Sequence, residues 1–204
     1  MRRLAAVLVT AALAACAGPS GMPETEFVSP EVGRAYIPLE GSILMILRDE
    51  GAAVALGGGV AVTSAHTAGL VDAGLVIGTS DDYDLMFFRT DRRSALATDA
   101  PRLRQHVIAY GQFKSGLRRA EGYVTDLDAS VEARCKTCAV QTAFAFDGNA
   151  GPGFSGGPVL DADSGKLLGI VFGYVERPDG GRTIYAYPMR RVIAELEKAV
   201  RTQP

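Results

Sequence analysis

Short apolar runs, each broken by glycine or charge, fill the chain from Ser42 onward. Segments 42–48, 52–63, 74–79, 85–89, 107–110, 122–126, 139–146, 167–174 and 183–187 have the length and composition of strands. Only the end is helical in period: Met189, Val192, Ile193, Leu196 and Val200 share one face, and Glu197 stands four before Arg201. Many short strands followed by one terminal helix predict an all-β sandwich or barrel. The run Gly57-Gly58-Gly59 lies inside a strand pattern with no lysine after it. A bend or bulge between close backbones is expected there, not a phosphate cradle.

Before Ser42 the pattern differs. Met1-Arg2-Arg3 gives a positive start, and an apolar, small-residue run follows to Ala15, interrupted only by Thr10. That is the layout of an export signal, and it is too short for a bilayer span of about 20 apolar residues. The string Leu13-Ala14-Ala15-Cys16 resembles the lipobox of bacterial lipoproteins. The resemblance implies that residues 1–15 are removed and that Cys16 is lipidated and becomes the first residue, a membrane anchor. Ala17 in place of an aspartate implies outer-membrane sorting, with the protein facing the periplasm. Residues 16–38, carrying Pro19, Pro23, Pro30 and Pro38, are expected to be a flexible tether, and 39–204 the folded domain.

Composition narrows the function classes. Apolar residues at 48% and charged residues at 22% exclude a chain disordered throughout. The net charge of −2, which becomes −4 once Arg2 and Arg3 are removed, offers no footing for nucleic acid. Three cysteines are present: Cys16, Cys135 and Cys138. Cys135-Lys136-Thr137-Cys138 can be a redox pair, half a zinc site or a small disulfide loop. A redox motif needs a βαβ setting that is missing, and zinc needs two further ligands. An oxidising compartment favours the local disulfide. No metal and no cofactor is expected.

The sharpest chemical signal is Gly151-Pro152-Gly153-Phe154-Ser155-Gly156-Gly157-Pro158. A serine hydroxyl attacks only when a base takes its proton and donors stabilise the resulting oxyanion. Glycines on both sides allow the N–H groups of Gly153 and Ser155 to be aimed into one small hole. The string also satisfies G-x-S-x-G, the nucleophile elbow of α/β-hydrolases, where the base follows the serine. This chain has only His66 and His106, both before Ser155, so the elbow reading fails. His66 ends an apolar strand in Thr63-Ser64-Ala65-His66 and is the candidate base; His106 is read as an ordinary strand residue. Asp84, at the mouth of the Leu85-Met86-Phe87-Phe88 run, is the candidate orienting acid, with Asp72, Asp81 and Asp82 as rivals.

His66, Asp84 and Ser155, in that order, resemble the triad of chymotrypsin-like serine proteases, and most closely the bacterial HtrA-like branch. The strings TSAH and GFSGGP carry the likeness. Val107-Ile108-Ala109-Tyr110-Gly111, Gly122-Tyr123-Val124, Val140-Gln141-Thr142, Gly165-Lys166-Leu167-Leu168-Gly169-Ile170 and Ala186-Tyr187-Pro188 support it from about Ser42 to Arg201. The resemblance implies two packed six-stranded antiparallel β-barrels with the triad between them. It also implies an oxyanion hole from Gly153 and Ser155, and protein or peptide substrates adding as a strand along Val171, Phe172 and Gly173. Asn149 stands where trypsin-type enzymes place the aspartate that reads basic side chains, so basic cleavage sites are not expected. Only 18 positions separate His66 from Asp84. The first barrel is therefore expected to lack a hairpin. Thr67 occupies a position where many relatives have a disulfide cysteine, and no PDZ domain is expected after the helix. A serine endopeptidase is the reading that results. A non-catalytic peptide-binding module and an esterase with the same triad are the alternatives.

Overall fold

A computed structural model describes residues 20–43, 47–131 and 141–201. Cys16, Cys135 and Cys138, with the lipid and the disulfide expected of them, lie outside the described residues. In chain order the elements are β1 (Met22–Pro23), α1 (Pro30–Ala35), β2 (Tyr36–Ile43), β3 (Leu47–Gly57), β4 (Val60–Thr63), β5 (Val76–Thr79) and β6 (Met86–Arg89). The second half holds β7 (His106–Phe113), β8 (Gly116–Val131), β9 (Gln141–Gly148), β10 (Pro158–Asp161), β11 (Leu167–Glu176), β12 (Arg182–Pro188) and α2 (Met189–Arg201). None of the described helices is long and apolar enough to cross a membrane.

The strands form two antiparallel sheets. The first has the order β2-β3-β4-β6-β5, one strand short of six among the described residues. The second runs β8-β7-β10-β11-β12-β9 and closes where β9 returns to β8, with β1 added outside β8. Closure depends on the length of β8: Gly116 to Tyr123 pair with β7, and Val124 to Val131 pair with β9. Register shifts at Val124/Asp126 and Asp126/Ala129 bend the strand between its two partners. The expected all-β double barrel with one terminal helix, its first half abbreviated, is the observed architecture. The run expected as one strand over 52–63 is instead a hairpin. Gly57, Gly58 and Gly59 take φ of +89°, +62° and +82°, and this left-handed turn reverses β3 into β4.

Burial follows the pleat. Val107, Ala109, Val124, Phe144, Phe146, Phe154, Val159 and Leu168 fill the closed barrel. A second core, shared by the two sheets, joins Val54, Val62, Leu85 and Phe87 to Ile108, Leu160, Ile170, Phe172 and Tyr187. The two halves are thus welded along one apolar seam.

Residues 20–38, expected to belong to a tether, are packed against the folded domain. Ser29 caps α1 by accepting from Val32 N at 3.4 Å, and Pro30 opens the helix, where a missing N–H costs nothing. Val32, Ala35 and Tyr36 are buried. The Phe27 ring sits 5.1 Å from that of Tyr36 and 5.0 Å from that of Tyr110, and Val28 N donates to Tyr110 Oη at 2.8 Å. Pro23 and Pro38 lie in the edge strands β1 and β2 and Pro30 opens a helix, so these three do not mark an unfolded stretch.

The face of α2 also differs from expectation. Met189 and Val192 are buried as expected, but Ile193 is 43% and Val200 53% exposed, while Glu195 and Ala199 are buried. A Cβ on Gly78 of β5 would lie 3.1 Å from Ala199 Cβ, so a small residue is required at this contact. The buried Glu195 carboxylate accepts from Ser80 Oγ at 2.7 Å and from Lys198 Nζ at 2.8 Å. It is a satisfied polar core residue that joins α2 to the loop before β6.

Candidate active site

Strand β4 ends at Thr63 and passes into a 3₁₀ turn, Ala65–Leu70, that presents His66. The turn is stitched by hydroxyls. Thr63 Oγ1 donates to Ala52 O at 2.7 Å, and Thr67 Oγ1 donates to Ser64 O at 2.7 Å. Thr67, expected to replace a disulfide cysteine, supplies hydrogen bonds at this point.

Asp84 holds His66 at two atoms. Its Oδ1 accepts from the His66 backbone N–H at 2.9 Å, and its Oδ2 lies 2.5 Å from His66 Nδ1. An ionised carboxylate only accepts, so this contact places the Nδ1 proton toward Asp84 and leaves Nε2 as the basic nitrogen. Ala65 N donates to Asp84 O at 3.2 Å, so the backbones of the two residues are tied as well. The imidazole is 51% exposed and the carboxylate 15%, an open ring over a sheltered carboxylate.

The loop bearing Asp84 is fixed from the far half of the molecule. Asp84 N donates to Tyr187 Oη at 3.2 Å. Burial, foremost, pushes the Tyr187 phenol up, and the Asp84 carboxylate adds to the rise, so this oxygen stays protonated. Ser80 Oγ, which donates to Glu195, also accepts from the N–H groups of Asp82 and Tyr83, at 3.2 and 3.0 Å. Ser80, Tyr187 and Glu195 are supporting residues that the sequence reading missed. A hydroxyl four positions before Asp84 was the available signal for Ser80. Nothing local marks the other two.

Ser155 lies on the loop between β9 and β10, and three backbone bonds set that loop's course. Gln112 N donates to Gly153 O, Ala52 N donates to Ser155 O, and Gly157 N donates to Phe154 O, each at 2.9 Å. Phe154 is fully buried in the closed barrel and roots the loop there, a burial of roughly 2–3 kcal/mol. Gly153 and Gly156 have φ of +87° and +79°. A Cβ on Gly156 would sit 2.1 Å from both Ala52 O and Thr63 Oγ1 and 3.0 Å from Ser64 N. The residue after Ser155 therefore presses directly on the residues leading into the His66 turn. Val171 O locks the approach, accepting from Gly156 N at 2.8 Å and from Ser64 Oγ at 3.1 Å. Among the described residues, neither Gly153 N nor Ser155 N donates to another group of the chain.

The other expected residues separate into distinct places. His106 lies 3.1 Å from Glu121 Oε2 and stacks on Tyr123 with ring centroids 5.0 Å apart, a partnered residue of β7. Asp82 pairs with Lys198 at 3.2 Å, Asp72 accepts from Gly74 N at 2.8 Å, and Asp81 is exposed. Asn149 is exposed, and its carbonyl accepts from Gly21 N at 2.8 Å and Arg182 Nη1 at 3.3 Å. Val171 is corrected as a residue that pairs with peptide. Its N–H donates to Gly157 O at 2.9 Å, and its carbonyl already accepts twice. Strand β10 pairs with β11 only as far as Ile170, so among the described residues Phe172 and Gly173 have β12 as their one strand neighbour. No cluster of three or more metal-ligating side chains occurs among the described residues.

No protein-family model and no curated protein sequence matches the chain. Solved structures do match. The Rv3671c protease of M. tuberculosis in its active form superposes with a TM-score of 0.69 at 19% identity, over 100% of this chain and 96% of that one. The HtrA-type protease AlgW with a tripeptide gives 0.67 at 20% identity, over 86% of this chain and 64% of that one. The MamO protease domain of Magnetospirillum magneticum gives 0.61 at 18%, over 81% and 97%. The chain thus spans just under two thirds of the length of its AlgW neighbour. What the likeness establishes is the fold, the double β-barrel of HtrA-type, trypsin-like proteases.

Proposed function

We propose that this protein is a serine endopeptidase in which Ser155 is the nucleophile, His66 the general base and Asp84 the residue that orients it. The observation that carries the reading is the two-point grip of Asp84 on His66, beside a glycine-bounded serine loop seated against the same turn. Nε2 takes the Ser155 proton as Oγ attacks the scissile carbonyl, and later delivers it to the leaving amine. Asp84 stabilises the imidazolium formed between those steps. The N–H groups of Gly153 and Ser155 supply the oxyanion hole, which is worth most because it acts on charge that develops only in the transition state.

The substrate class is peptide. Among the described residues the edge of β11 from Phe172 has no strand on the β10 side and offers main-chain pairing to an extended chain, and the AlgW neighbour carries a bound tripeptide. The expected anchor gains a geometric consequence. The described residues begin at Ser20, four positions after Cys16. Four residues reach at most about 14 Å, so a lipid on Cys16 would keep Ser20 within that distance of the anchor. Envelope attachment on the periplasmic side belongs to this reading. It predicts that Cys16→Ala leaves the protein soluble and unlabelled by a palmitate analogue.

A fluorophosphonate probe tests the chemistry. Wild type should label covalently, and Ser155→Ala and His66→Ala should not. An unlabelled wild type, or a labelled Ser155→Ala, overturns the reading and leaves a binding module on this fold. Digestion of a peptide library by the labelling-competent protein separates peptidase from esterase.

A further inference from the structure

The residues at the start of the described chain reach the back of the serine loop. Gly21 N donates to Asn149 O at 2.8 Å. Gly21 has φ of +64°, and a Cβ there would lie 2.6 Å from Phe154 Cζ, so its bare backbone lies flat on the ring that precedes Ser155. Ser20 is buried, and a Cβ on Gly151 would meet its Oγ at 2.4 Å. Asn149, Gly151 and Phe154, all within six positions of Ser155, thus share one brace.

The brace is itself clasped. Arg118 of β8 is buried, and its Nε and Nη2 donate to Ser20 O at 2.9 Å and Gly21 O at 2.7 Å. Its guanidinium lies 5.7 Å from the centre of the Phe113 ring, and no carboxylate pairs with it among the described residues. A buried guanidinium is costly unless its donors are satisfied, so the two carbonyls are strong partners that fix Ser20 and Gly21 in place. Arg182, also buried, adds bonds to Ser20 Oγ, Asn149 O and Ala150 O at 3.3 to 3.4 Å. Pairing of Met22 and Pro23 with Arg119 and Arg118 continues the hold.

We propose that Ser20 and Gly21, clasped by Arg118, are positioning residues that keep the loop from Asn149 to Ser155 in its reactive shape. This inference rests on the hydrolase reading for its activity readout. The strap makes no contact with reactants. It acts through Phe154 and Asn149 on the peptide groups of Gly153 and Ser155, whose placement decides how well an oxyanion is held. Slack in the strap therefore lowers turnover more than it weakens substrate binding.

The test compares full-length wild type with Gly21→Ala and Arg118→Met. Three readouts are the fluorophosphonate labelling rate, hydrogen exchange over residues 149–157, and the downfield proton on His66 Nδ1. Labelling slowed at least tenfold, with faster exchange confined to 149–157 and the His66 proton unmoved, supports the strap. Labelling and exchange both at wild-type values overturn it. Should Arg118→Met fail to fold, Gly21→Ala decides, because it keeps both carbonyl partners of the guanidinium. A wild type that does not label sinks the hydrolase reading instead. The strap is then judged on exchange alone, raised supporting it and unchanged overturning it.

Discussion

Asp84 grips His66 at the backbone N–H and at Nδ1 together, at 2.9 and 2.5 Å, so ring and main chain are oriented by one carboxylate. The consequence is a fixed tautomer. An amide in place of the carboxylate can present its NH₂ to Nδ1 and move the imidazole proton to Nε2, the atom that accepts from serine in the proposed mechanism.

Asp84→Asn is therefore expected to lower the fluorophosphonate labelling rate by about 10⁴, the size of the tautomer error in such triads, with little loss of folding. Asp81→Asn, at an exposed site, should stay within about twofold of wild type. Equal losses in the two variants would remove Asp84 from its role.

Gly156 tests whether the serine loop and the His66 turn are in contact. A methyl group there meets Ala52 O and Thr63 Oγ1 at 2.1 Å, from a backbone at φ +79°. Strain and overpacking together should cost Gly156→Ala roughly 3 kcal/mol of stability, read by denaturant unfolding, and labelling should be lost in whatever remains folded. Gly165→Ala, with no atom within 4 Å, meets only its own φ of +67° and should cost about 1 kcal/mol.

Legibility in the sequence followed the physics of each element. Strands with continuous apolar runs, such as Phe87-Phe88 in β6 and Ile170-Val171 in β11, announced themselves because both faces are buried. Strand β10 did not, since Pro158 to Asp161 is only four residues and follows directly on the glycine loop. The long β8 showed only its middle, because much of it is polar or exposed and two bulges break the alternation. Strand-end context and chain order pointed to His66 and Asp84, whose side chains the fold brings together. Tyr187 and Glu195 could not be named, because their roles exist only once β12 and α2 fold back on the Asp84 loop. The same distance hid the true face of α2, where contact with Gly78 selects Ala199 over the larger Val200.

Ser80 joins α2 to the acid's loop, so its removal should reach His66 without touching it. Ser80→Ala deprives the buried Glu195 of a donor at 2.7 Å and removes the oxygen that accepts from the N–H groups of Asp82 and Tyr83. The expected cost is about 1–3 kcal/mol of stability. Turnover should fall about tenfold, through looser orientation of Asp84, with a shift in the His66 Nδ1 proton resonance that Ser164→Ala does not produce.

Asp161 contributes to the acid limb of stability. Burial raises its pKa, but Ser164 Oγ, Gln105 and the Ser164 N–H all donate to the carboxylate and hold it down at about 2. An unfolded aspartate titrates near 3.9. A folded pKa below the unfolded one means that the stabilisation is complete above about pH 4–5 and fades as pH falls toward 2. The amount is on the order of 2 kcal/mol for a shift of this size. Unfolding free energies measured from pH 2 to 6 should therefore rise more steeply for wild type than for Asp161→Asn, which keeps the shape but has no proton to exchange. Parallel curves across that window would mean that Asp161 is not the group whose ionisation the fold exploits. The loop it holds, through Gln105 before β7 and Ser164 after β10, would then owe its acid stability to other carboxylates.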